Sequence, residues 1–142
     1  MSPEERVTAA QRRIVLARAR GHCEYCHSQA RFATQSFTVE HILPRYIGGE
    51  TTLDNLALAC FGCNGHKHTK THAPDPETGV KVTLFHPRRE LWAAHFTWSA
   101  EYTHIIGLTP TGRATVAALH LNRPELINLR RVLHAVSEHP QS

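Results

Sequence analysis

Over the first twenty residues apolar positions recur at helical spacing: Ala10, Ile14 and Ala17 share one face, Thr8 followed by Gln11 resembles a capping box, and Gly21 suits the residue just past a helix end. The pattern predicts a helix over 9–20 with that face towards a core. The period then changes. Phe37-Thr38-Val39 reads as a short strand delivering Glu40 and His41 at its end, Pro44 and Gly48-Gly49 mark a loop, and Leu56-Ala57-Leu58-Ala59 reads as a returning strand entered through Asp54-Asn55. Phe61 to about Thr71 can form a helix, so the order is strand, strand, helix.

Pro74, Pro76 and Gly79 break the chain next, and segments 80–85, 91–98 and 103–108 beyond them are rich in β-prone residues. Two helices are predicted to close the chain. One covers about 112–119; the other starts at Pro124, a natural first helical residue, and carries Leu126, Leu129, Leu133 and Val136 on one side. The alternation of Phe96 and Trp98 beside Leu91 assigns these rings, with Trp92, to packing rather than to base stacking. Thr109 to Arg113 reads equally well as a turn with a helix start or as a presentation of Arg113 to phosphate.

With 142 residues, 41% hydrophobic and 20% charged, the chain is expected to be one α+β domain over 1–142. Its parts are an N-terminal helix region (1–22), a core (23–72) and a strand and helix extension (73–142). No apolar run approaches the roughly 20 residues that span a bilayer, and no signal-type apolar segment opens the chain, so a cytoplasmic protein without membrane contact is expected. In a reducing compartment the pairs Cys23/Cys26 and Cys60/Cys63 are better read as four thiolate ligands of one structural Zn²⁺ than as disulfides. Four sulfurs leave the metal no open position. Any chemistry then belongs to the residues the two pairs enclose.

A net charge of +4 suits a phosphate-rich partner only weakly, and a single arginine is more often a solvated surface residue than a nucleic-acid contact. Arg45, Lys67 and Lys70 stand out because they flank the enclosed segment. Within it, His41 is a suitable general base at neutral pH and Glu40 a hard oxygen ligand for Mg²⁺ or a similar ion. Neighbours on a strand point to opposite faces, which allows the two to take different tasks. Asn64 and His68, four apart on the predicted helix, share a face and offer an amide oxygen and an imidazole to the same ion, while Lys67 can meet a phosphate. Such a set matches the needs of phosphodiester hydrolysis: an activated water, charge stabilisation at phosphorus and help for the departing oxygen.

The run Cys-x2-Cys, acidic residue before His-Ile-x-Pro, Gly-Gly, Asn-Leu and Cys-x2-Cys-Asn, from Cys23 to His68, resembles the HNH endonucleases of the zinc-framed ββα-metal (His-Me finger) type. The resemblance implies that His41 is the general base, that Asn55 fixes the loop bearing it, and that Glu40, Asn64 and, with less regularity in the family, His68 hold a catalytic Mg²⁺ or Mn²⁺. Glu40 stands where many relatives have Asp, and Asn64 where others have His. It further implies hydrolysis of DNA, one strand per site, leaving 5′-phosphate and 3′-hydroxyl ends; the residues leave RNA open as a partner. Two other classes compete: a zinc-stabilised nucleic-acid-binding module without catalysis, and a structural zinc-knuckle protein. The second gives no reason for the residues between the cysteines.

Overall fold

The computed structural model describes residues 6–141, which combine α-helices with three separate two-stranded antiparallel sheets. They form two compact units. One comprises the chain up to Thr71 together with His86–Leu91; the other comprises His72–Phe85 and the chain from Trp92 onward. Among the described residues no helix is long and apolar enough to cross a membrane.

In the first unit, α1 (Ala9–Arg18) begins with the expected reciprocal cap: Thr8 Oγ1 accepts from the Gln11 amide at 3.0 Å, and Gln11 Oε1 accepts from the Thr8 amide at 2.9 Å. Arg20 and Gly21, both at positive φ, lie beyond its end, two residues earlier than the predicted boundary. The buried face also differs from the predicted one. Val15 is buried and Gln11 and Arg12 are half-buried, whereas Ala10 and Ala17 are exposed and Ile14 is 47% exposed. The reason is polar: Gln11 Nε2 donates to the Thr51 carbonyl and Arg12 to the Phe37 carbonyl, which turns their side of the helix inward. An apolar count alone misses a face anchored by long polar side chains.

The hairpin of β1 (Thr38–His41) and β2 (Leu56–Ala59) is the centre of this unit, in the register Glu40 opposite Ala57 and His41 opposite Leu56. All four β2 residues are buried. The backbone of β2 outside the hairpin is also satisfied: Leu58 N–H donates to Glu24 Oε2 at 2.8 Å, its carbonyl accepts from the Glu24 amide at 2.9 Å, and Arg18 donates to the Leu56 carbonyl. Arg88 from the inserted segment pairs with the same Glu24. Helix α2 (Phe61–Lys67) follows β2 after one residue.

In the second unit, β3 (His72–Pro74) pairs with β4 (Lys81–Thr83), and β5 (Phe96–Trp98) with β6 (Ile105–Gly107). Residues 92–95, predicted as part of a strand, instead form the short helix α3 (Trp92–His95). The aromatics pack as expected, Phe96 edge-on to Phe85 at 5.3 Å and Trp92 beside Phe96 at 5.1 Å. Helices α4 (Pro110–Ala118) and α5 (Pro124–Ala135) close the chain, α5 with Pro124 in its first turn. Leu126 is buried, Leu129 and Leu133 are half-buried, and Val136 lies exposed past the end of α5. Arg113 is held by Asp75, with Nε at 2.9 Å and Nη2 at 2.8 Å, and is thereby committed to the fold rather than to phosphate. Arg130 is likewise buried, donating to the Thr103 and Leu121 carbonyls.

Candidate active site and metal frame

Cys23 and Cys26 occupy the turn after α1, while Cys60 caps α2 and Cys63 lies in its first turn. Their four sulfurs lie within 4.8 Å of one another, all four residues are buried, and none is in a disulfide. The two knuckles repeat one geometry: the Cys26 amide faces Cys23 Sγ at 3.5 Å, and the Cys63 amide faces Cys60 Sγ at 3.4 Å. Burial, with the three neighbouring sulfurs adding to it, pushes the Cys23 thiol well above its ordinary range. A buried set of four thiolates therefore needs a cation. The all-sulfur, closed arrangement fits a structural zinc site. One zinc per chain is expected by elemental analysis. Apparent zinc-binding free energies in small zinc peptides are about 10–16 kcal/mol, so Cys60→Ser is expected to lose both the metal and the cooperative melting transition. A zinc-free parent, or a serine variant as stable as the parent, would contradict this assignment.

His41 ends β1, and the chain leaves it through a tightly braced loop. The Ile42 amide donates to the Asn55 carbonyl at 2.9 Å, while Asn55 Oδ1 accepts from the Leu43 amide at 2.9 Å. Asn55 Nδ2 donates to the carbonyls of Leu43 at 3.1 Å and Glu50 at 2.9 Å, so one side chain ties both limbs of the loop together. Arg45 Nη1 donates to the Gly49 carbonyl at 2.7 Å. Gly49 is required at its place: a Cβ there would fall 1.7 Å from the Leu43 carbonyl oxygen. Within this loop His41 is half-buried, with Nε2 2.9 Å from Thr51 Oγ1 and Nδ1 without a hydrogen-bond partner among the described residues. Partial burial, then the nearby Arg45 charge, lowers its pKa below the ordinary histidine value. Both effects favour the neutral ring, with one nitrogen anchored on Thr51.

Glu40 and Lys67 depart from expectation. Sequence alone assigns Glu40 to a catalytic ion and Lys67 to phosphate, but the structure gives each to the other: Lys67 Nζ is 3.1 Å from Glu40 Oε2 and donates to the Ile42 carbonyl at 3.0 Å. The other carboxylate oxygen, Oε1, accepts from the Tyr25 hydroxyl. Glu40 is 7% exposed and Lys67 2%. Alternation along β1 turns Glu40 inward as it turns His41 outward, and the long Lys67 stem carries its ammonium to the same interior point. Burial raises the Glu40 pKa, while Lys67 and the Tyr25 hydroxyl oppose that rise.

The remaining expected ligands sit at the end of α2. That helix stops at Lys67, earlier than predicted, and His68 takes φ 51°, ψ −121°, so the shared helical face expected for Asn64 and His68 is not continued. His68 is exposed with Nδ1 3.1 Å from Thr69 Oγ1, and the half-buried Asn64 side chain makes no hydrogen bond among the described residues. Exposed Lys70 donates to the His66 carbonyl at 2.9 Å. Among the described residues, the four cysteines alone form a group of three or more His, Cys, Asp or Glu able to hold a metal. Of the three ligands that the resemblance implies for a catalytic Mg²⁺ or Mn²⁺, Glu40 is thus held by Lys67 and Tyr25, Asn64 lies within α2, and His68 lies just past the end of that helix.

Sequence reasoning also passes over Tyr25 and Thr51, and sees Gln11 only as a helix cap and not as a partner of the Thr51 carbonyl. Tyr25 sits inside the first cysteine pair, where metal ligation takes all the attention, and no local pattern marks Thr51 as the partner of His41. Removing one member of a buried ion pair strands the other, at about 3–5 kcal/mol. Glu40→Ala is accordingly expected to lower the melting temperature strongly in chemical and thermal unfolding, with added Mn²⁺ restoring neither stability nor any activity. Recovery by Mn²⁺ would return Glu40 to the metal.

No curated protein and no solved structure matches the chain. A family model does. The stretch that contains both cysteine knuckles, the His41 loop and Asn55 is similar to the HNH endonuclease family, whose model it matches over residues 23–70, about a third of the chain.

Proposed function

We propose that the chain is an endonuclease that hydrolyses phosphodiester bonds in DNA, one strand per site, with His41 as general base. The observation that carries this reading is the setting of His41: an imidazole bonded through Nε2 to Thr51, with no hydrogen-bond partner at Nδ1 among the described residues, and held by a loop that Asn55 ties at both limbs. A water deprotonated at Nδ1 attacks phosphorus in line, and Asn55 acts through His41 by fixing its loop. Arg45 beside the ring and exposed Lys70 supply positive charge for the phosphate backbone; in this reading Lys67 does not, since its charge is spent on Glu40. The 3′ oxygen departs, leaving 5′-phosphate and 3′-hydroxyl ends.

The HNH segment supports a nuclease-type function, and the divalent-ion requirement that goes with the resemblance belongs to the proposal as a condition of the assay, with no step above routed through it. A zinc-stabilised binding module uses the same basic residues but has no use for an open imidazole nitrogen in a braced loop.

The test is incubation of the purified protein with supercoiled plasmid, single-stranded DNA and RNA, each with Mg²⁺, Mn²⁺ or chelator. Nicked circles with 5′-phosphate ends are expected. His41→Ala should retain zinc, fold and DNA affinity while losing about 10²- to 10⁴-fold in single-turnover rate, the usual contribution of a general base. DNA binding without cleavage by the parent under all ions would favour the binding module. A base acts when deprotonated, and burial together with Arg45 lowers the His41 pKa, so the rate should hold through neutral pH and fall only on acidification below the ordinary histidine value of about 6.5. A midpoint above that value would contradict the described environment.

A further inference from the structure

The loop that leaves His41 carries an apolar tip for which the fold has no use. Residues Arg45–Ile47 form a single 3₁₀ turn that ends at Gly48, with φ 100°. The Ile47 amide donates to the Pro44 carbonyl at 3.2 Å, the Gly48 amide to the Arg45 carbonyl at 3.1 Å and the Gly49 amide to the Pro44 carbonyl at 3.0 Å, while Arg45 Nη1 clamps the Gly49 carbonyl. On this fixed turn Tyr46 is 73% exposed and Ile47 45%. Of the three tyrosines, Tyr25 is buried against Glu40 and Tyr102 packs beside His134 at 5.2 Å. Tyr46 makes no hydrogen bond and no ring contact among the described residues.

A ring on a loose loop must be ordered when it binds, whereas a ring on a braced turn has already lost its backbone freedom, so little of its contact energy is offset. Its setting points to the occupant. Tyr46 lies five positions after His41, at most about 17 Å along the chain, which is about five nucleotide steps of a strand lying on the imidazole. Arg45, whose charge is close enough to His41 to lower its pKa, precedes the ring directly, so a cation for phosphate and a face for a base are offered side by side. Sites for single-stranded nucleic acid combine these two elements. A second protein fits poorly, because a stable interface buries about 1,200 Å² or more, and the tip offers only a few side chains of one short loop.

We propose that Tyr46 is a stacking platform for a nucleobase of the substrate strand, with Ile47 as an apolar wedge beside it, a few nucleotides from the phosphate attacked at His41. A base reaches the ring only after leaving its own stack, which costs least in single strands, at mismatches and at flexible pyrimidine–purine steps. The tip therefore sets a preference for unpaired or easily unstacked DNA over stiff duplex. The proposal rests on the nuclease reading for the chemistry at His41, and its test separates the two.

Affinity for a fluorescent single-stranded oligonucleotide and for the matching duplex is measured by anisotropy without added Mg²⁺ or Mn²⁺ for the parent, Tyr46→Ala and Tyr46→Phe, with zinc content and melting as controls. Tyr46→Ala is expected to weaken single-strand binding about 5- to 150-fold, the range for loss of one base–aromatic stack, while duplex binding changes little. Tyr46→Phe should bind as the parent does, since the ring is kept. Irradiation of the parent with the same strand carrying 5-iodouracil, which crosslinks to stacked aromatic side chains, should give a peptide adduct at Tyr46. Melting should be unchanged in both variants, because the ring contacts nothing in the fold.

Parental single-strand affinity in Tyr46→Ala, an equal loss in Tyr46→Ala and Tyr46→Phe, or adducts confined to other residues would overturn the proposal and leave the nuclease reading to the plasmid assay. Self-association of the parent that Tyr46→Ala abolishes would give the tip to a second copy and overturn it as well. A parent that forms the Tyr46 adduct but never cuts would remove the nuclease reading and leave the stacking site standing. If Tyr46→Ala does not fold, the adduct in the parent decides: present, it supports the platform; absent, it overturns it.

Discussion

The first unit is built around four cysteine sulfurs that lie within 4.8 Å of one another, an arrangement that fits one zinc ion. Cys23 and Cys26 stand on the turn after α1, Cys60 and Cys63 at the start of α2, and the β1–β2 hairpin lies in the chain between them. A two-stranded hairpin is marginal on its own, and α2, at seven residues, is too short to persist without tertiary support. A dication gathering the knuckles would close the loop around the hairpin and fix where α2 begins. The same turn sends Glu24 back to β2, where its main chain and its carboxylate both bond Leu58. Frame and strand are therefore one structure.

A second constraint sits inside the frame. Tyr25, Glu40 and Lys67 come from the first knuckle, β1 and α2, and meet in the interior around one carboxylate. Such a buried pair is weak evidence for added stability, since desolvation offsets most of the attraction, but it is demanding in geometry. Lys67 also donates to the Ile42 carbonyl, one residue past His41, so the pair sets the position of the strand end that carries the imidazole. Glu40 and His41 divide the two faces of one strand: Glu40 is buried in an ion pair and His41 is half-buried on the other side.

Much of this was legible in the residues. The cysteine spacing, the strand pair, the cap at Thr8 and the N-terminal proline of α5 follow from local rules, because each is determined within a few positions. The family pattern named the segment for the same reason. What local rules could not supply were contacts made by long side chains across the fold. Gln11 and Arg12 reverse the buried face of α1 by reaching distant carbonyls, and Lys67 turns inward where a surface phosphate contact was expected. His68 fails as a helical partner of Asn64 because α2 ends one residue before it. Thr51 lay beyond any motif, since its significance comes only from the loop that returns it to His41.

In the proposed arrangement one metal frame holds both the hairpin and the loop that carries His41. Amide hydrogen exchange, recorded with zinc bound and after its removal by a chelator, tests it most directly. Glu24, Leu58, Ile42 and Leu43, whose amides join the first knuckle to β2 and brace the His41 loop, are expected to lose protection together when zinc is withdrawn. Retained protection at Ile42 and Leu43, with exchange accelerated only in the turn around Cys23 and Cys26, would contradict it.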